Sequence, residues 1–86
     1  MDINELITIV KKKIQNKITV EKINVEDKSF LHSKHKSNPV GKFHLKISIE
    51  SNFLRNKKKI DSTREIYKIL EKELKNYIHS IQLNIK

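Results

Sequence analysis

Four histidines and no cysteine set the limits of the chemistry open to this chain. Without a thiol it forms no disulfide, presents no thiolate nucleophile and cannot hold an iron–sulfur cluster on its own sulfurs. Metal chemistry has to use imidazoles and carboxylates, or ligands lent by a partner. His32 and His35 stand three residues apart in "HSKH", a spacing that resembles half of a zinc motif, but no second pair follows. His44 lies in the alternating run "KFHLKISIE", on the opposite side from Phe43, Leu45, Ile47 and Ile49. That position suits a structural or rim contact.

His79 poses the sharpest question. It opens the stretch "HSIQLNI", in which residues 81, 83 and 85 are apolar. Strict alternation puts its ring on the same side as that apolar stripe. Such a residue is either a half-buried histidine bonded to a backbone carbonyl, or a ligand held at the rim of the buried face. No Ser/His/Asp arrangement or paired carboxylates stand out. A chain of 86 residues has little room to enclose a substrate pocket, so a non-enzymatic protein is expected.

The second feature is a basic run, "RNKKK" at 55–59. Arg55, Lys57, Lys58, Lys59 and, further on, Arg64 are suited to neutralising phosphates. Across the chain 19 Lys and Arg oppose 10 Asp and Glu, a formal charge of +9. An anionic partner follows, either nucleic acid or an acidic protein surface. A Lys-, Ile- and Asn-rich composition is also what a bias in the coding DNA produces. The run has no Gly to let the backbone approach a phosphate closely, and the aromatic residues fall mostly at core positions. Any nucleic-acid binding is expected to be weak and strongly salt-dependent.

The elements that position these residues are legible from periodicity. Residues 2–16 have Ile3, Leu6, Ile7, Val10 and Ile14 at helical spacing, with Asp2 as N-cap. Residues 17–26 alternate as a strand, with a parity change between Val20 and Ile23 that implies a bulge. Residues 27–41 are a polar loop holding the single Pro and the single Gly, together with His32 and His35. Residues 42–50 form a strand with one wet side. Phe53 and Leu54 anchor a short connection, and "STRE" at 62–65 matches a capping box, with Ser62 as cap. Ile66, Leu70, Leu74 and Tyr77 mark the buried stripe of a helix reaching about residue 76. A last strand covers 78–85. The order is α-β-β-α-α-β, a single α+β domain over residues 1–86 with helices on one sheet face. The last strand follows a crossover, so it should lie parallel to one of the other two.

This order and four local stretches resemble the BolA family. "VEDKSFLH" at 25–32 is similar to the family's V-x-D-x-S-x-x-H. "GKFHLKISIESNF" at 41–53 is similar to its G-x-x-x-H-F-K-V-x-V-x-S-x-x-F, with His44 on the family's His. "REIYKILEKEL" at 64–74 resembles the helix that usually reads R-H-R-x-x-Y-x-x-L-x-x-E-L, and "IHSIQL" at 78–83 the V-H-A-L-x-I ending. The chain departs from the pattern at Ser62 and Thr63, which replace Arg-His. It departs again at Arg55, which replaces a Gly, and at Leu45, which replaces a Phe.

The resemblance implies a three-stranded mixed sheet of class II KH-like type. It also implies a partner, a monothiol glutaredoxin, with which such proteins share a [2Fe–2S] cluster held in part by glutaredoxin and glutathione thiolates. By position His79 would be one ligand. The loop ligand would be His32, with His35 as a possible substitute, making this a His-loop type. The isolated protein would be a monomer that binds no cluster tightly, acting in cluster trafficking or iron regulation. Some members are transcriptional regulators, so DNA stays the alternative partner. The beginning, "MDINELITIV", has no basic n-region, and no apolar run approaches a membrane span, so the cytoplasm is the expected compartment.

Overall fold

The computed structural model describes residues 2–29 and 42–86. Its elements are α1 (Ile3–Lys17), β1 (Lys22–Asp27), β2 (Phe43–Glu50), α2 (Asn52–Arg55), α3 (Lys59–Ile69), α4 (Glu71–Asn76) and β3 (Ile78–Ile85). The three strands form one mixed sheet in the order β1-β2-β3. β1 runs antiparallel to β2, pairing Val25 with Ile47. β3 runs parallel to β2, as the helical crossover requires.

One face of the sheet is apolar and the other polar, because side chains alternate along each strand. Leu45, Ile47 and Ile49 of β2, Val25 of β1 and Ile78 of β3 are buried. They meet Leu6, Val10 and Ile14, which lie four residues apart on α1, together with Ile66 and Leu70. α3 and α4 are one helical path with a kink. Leu70 has φ −98° and ψ 16°, outside the helical range, yet its N–H still bonds Ile66 O and its carbonyl accepts from Leu74 N–H.

Two local expectations are corrected. The parity change between Val20 and Ile23 is not a bulge in a strand. β1 begins only at Lys22, and Ile18 is a buried C-cap of α1, so the two residues belong to different kinds of backbone. Nor does Ser62 cap a helix. α3 starts three residues earlier with Lys58 as N-cap, and no side chain caps it. Ser62 is buried inside α3 and donates its hydroxyl to Leu54 O at 2.7 Å. Glu65 instead approaches Lys57 at 3.8 Å. Asp2 occupies the N-cap of α1 without a side-chain cap bond.

The side-chain cap in this region belongs to Ser51. Its Oγ accepts from Leu54 N and donates to Thr19 O at 2.7 Å, joining α2 to the α1–β1 connection. Ser51→Ala should therefore cost about 1–2 kcal/mol. Glu65→Ala, at an exposed pair, should cost less than about 0.5 kcal/mol. Urea midpoints of the two variants check this order. A Glu65→Ala loss equal to that of Ser51→Ala would restore the capping box.

Candidate functional site

β3 carries a bulge at its first turn of chain. Phe43 is in register with Ile78, but His44 is in register with Ser80, so His79 is the extra residue between them. Ile78 points into the core and is 1% exposed. After the bulge Ile81, Leu83 and Ile85 face the core again. An unbulged strand could not bury both Ile78 and Ile81, because they differ in parity. The bulge answers the question His79 raised. Its ring does not sit at the rim of the buried face with the isoleucines. It is exposed and stands edge-on to the His44 ring, centroids 4.8 Å apart and planes at 77°.

His44 is on the polar side of β2, as its parity requires, yet it is 5% exposed. Its ring Nδ1 is 2.6 Å from Ser80 Oγ. Its backbone N–H donates to Ser29 Oγ, and its carbonyl accepts from Lys28 N at 2.7 Å. Ser29 N–H in turn donates to Asp27 Oδ1 at 2.9 Å. These bonds fasten the end of β1 to the start of β2. On the other side, Phe43 N–H donates to Tyr77 O at 2.9 Å, two residues before His79. Both chain segments that flank residues 30–41 are thus tied to the corner where the two histidine rings meet. His32 and His35 themselves lie outside the described residues. Sequence reading treated His44 as peripheral; its shared parity with Ser80 becomes visible only once the bulge is known.

Nearby on the polar face, the Glu26 carboxyl is held below the usual carboxylate range. The hydrogen bond and the charge of Lys28, 3.0 Å away, are the main causes, with smaller help from Lys46 and Asn24. Among the described residues no group of three or more His, Cys, Asp or Glu is gathered closely enough to hold a metal ion. No helix among them is long and apolar enough to cross a membrane.

The basic residues lie elsewhere. Arg55, Lys57 and Lys59 line an open cleft of about 250 Å³ between the α2–α3 connection and the end of β3, floored by Leu54, Leu83 and Ile85. Lys58 and Arg64 are exposed outside that lining. Lys57 already stands 4.4 Å over the Phe53 ring and near Glu65. Phe53 is 46% exposed, so Leu54 alone is the buried anchor expected of the pair.

A family model described as BolA-like protein matches residues 14–86. The chain belongs to the BolA family. Solved BolA structures agree with it over nearly the whole length. The BolA domain of SufE1 from Arabidopsis thaliana superposes with a TM-score of 0.80 at 25% identity, covering 94% of this chain and 90% of that one. BolA1 from the same plant gives 0.78 at 22% identity, covering 93% and 88%. BolA1 from Mus musculus gives 0.76 at 15% identity, covering 94% of this chain and 63% of the other. The last two likenesses concern the fold alone. A comparison with curated proteins returned no match. The BolA-like fold, a three-stranded mixed sheet with four helical segments, is thus common to chains that share few residues with this one.

Proposed function

We propose that this BolA-like chain is a non-enzymatic partner of a monothiol glutaredoxin and shares a [2Fe–2S] cluster with it, in cluster trafficking or iron regulation. One observation carries the reading: the segments entering and leaving 30–41 are hydrogen-bonded to the corner from which the exposed His79 ring projects. His32 stands three positions after Ser29 in the sequence and lies outside the described residues. The described residues on either side of 30–41 are therefore anchored beside the strand imidazole of His79.

The donor set fits such a group. His79 is an exposed imidazole on the first residues of a strand, and the chain has no cysteine to compete with it. His79 would be the fixed ligand and His32 the loop ligand, with His35 as the substitute. The remaining thiolates would come from glutaredoxin and glutathione, so the isolated protein should hold no cluster tightly. Bound there, the cluster is a one-electron and transferable unit whose potential rises when imidazoles replace thiolates. The +9 charge favours docking on an acidic partner surface.

The test mixes the purified chain with cluster-loaded, glutathione-bound monothiol glutaredoxin and records visible absorption and circular dichroism. Wild type should give a new spectrum, and His79→Ala should lose or alter it. An unchanged glutaredoxin spectrum with wild type would overturn shared ligation.

Nucleic-acid binding is the second reading, favoured by the cleft that gathers Arg55, Lys57 and Lys59. Its mark would be DNA binding that weakens steeply with salt and falls on replacing those three residues.

A further inference from the structure

The bulge leaves His79 without the usual restraint of a strand residue. As the extra residue it has no partner position on β2, and it is exposed. Alternation does not fix where its ring points. Something else has to, if the ring is to meet a ligand in one orientation.

His44 is placed to do so. Its side chain is almost fully buried, and its backbone N–H and carbonyl are both bonded, to Ser29 Oγ and to Lys28 N–H. Its Nδ1 bonds Ser80 Oγ at 2.6 Å, so the ring is fixed in its own plane. The His79 ring stands nearly perpendicular to it at 4.8 Å, the edge-on arrangement that aromatic rings prefer. The two contacts act on consecutive residues. One pins Ser80, immediately after the bulge, to β2; the other gives the bulged ring a wall. Ser80 supplies the hydroxyl that makes the bond to His44.

We propose that His44 is a positioning residue: through Ser80 and through its ring it holds the bulge and the His79 imidazole in one orientation. The role rests on His79 being a ligand, but the restraint itself is a property of the isolated chain. Outer-shell partners of metal-binding histidines orient the ligand ring through a hydrogen bond, and their loss commonly weakens binding about 10–100-fold; His44 would orient it through ring contact and Ser80 instead, so the lower end of that range is expected.

Three variants separate the contributions. Ser80→Ala removes the hydrogen bond and keeps both rings. His44→Phe keeps a ring edge and loses the bond. His44→Leu fills the buried space and loses both. The first readout is NMR of the isolated protein: the His79 side-chain couplings, ring shifts and its contacts to residue 44. Wild type should show one His79 rotamer, His44→Leu an average of several, and the other two variants intermediate behaviour. The second readout is visible circular dichroism on titration with cluster-loaded glutaredoxin, where His44→Leu should raise the half-saturation point about tenfold. A single His79 rotamer in all three variants would overturn the proposal. If His44→Leu does not fold, Ser80→Ala, at an exposed position, decides it. If His79→Ala leaves the circular dichroism of wild type intact, the ligand reading fails, and the NMR result still decides positioning. If His79→Ala alters it while His44→Leu changes neither readout, positioning fails and the ligand reading stands.

Discussion

Ile47→Ala should destabilise the protein by about 3–4 kcal/mol, the largest loss expected from any single truncation. Ile47 is at the middle of the central strand and wholly buried. It is in register with Val25 on one side and Leu83 on the other, so neither neighbour can collapse into the gap without shifting a strand. The methyl groups removed leave a cavity as well as a lost transfer term. A chain of this length has a total stability on the order of 4–13 kcal/mol, so the variant gives up a large part of it. Thermal unfolding should fall by roughly 12–30 °C, at about 4–8 °C per kcal/mol for a domain of this size. Ile81→Ala on the edge strand, at a half-buried position, should cost only about 1 kcal/mol. Equal losses at the two sites would mean that the core is not centred on β2.

The second large effect involves charge. Lys13 Nζ lies 2.9 and 2.7 Å from the two carboxylate oxygens of Glu73, joining α1 to α4 across 60 residues of sequence. The partners are unequally wet: the side chains are 37% and 6% exposed. The buried member is the carboxylate, so removing its cation leaves an uncompensated buried charge. Lys13→Ala should cost about 2–3 kcal/mol, below the 3–5 typical of a fully buried pair because water screens the lysine side. Glu73→Gln should cost less, about 1 kcal/mol, since the exposed ammonium can turn to solvent. Lys13→Met with Glu73→Leu should recover most of the loss, because well-packed apolar side chains often replace a buried pair without penalty. A urea double-mutant cycle measures all three. If Lys13→Ala cost less than about 0.5 kcal/mol, the pair would be a surface contact only.

These residues also show why part of the molecule is readable from sequence and part is not. α1, β2 and β3 follow from local periodicity, since burial of one face repeats every 3.6 or 2 residues whatever the neighbours do. The boundaries expected for the last strand, 78–85, coincide with those observed. The parallel placement of that strand followed from the crossover alone. His44 on the polar side of β2 was equally legible, because parity within a single strand needs no partner.

Register, by contrast, is a relation between strands. The bulge at His79 lets Ile78 be buried and Ile81, half-buried, pack against the same core, a relation that the local pattern cannot represent. The same alternation that identified β3 therefore assigned His79 to the wrong face. Ser62 has a capping box's spacing, but α2 ends close enough for its hydroxyl to reach Leu54 O instead. Nothing in the local pattern pairs Lys13 with Glu73; the packing of α4 beside α1 does so. The family, the element order and the identity of His79 as the residue to watch came from sequence alone. That its ring meets His44, 35 residues earlier in the chain, is decided by tertiary structure, because only strand pairing brings those two backbones together.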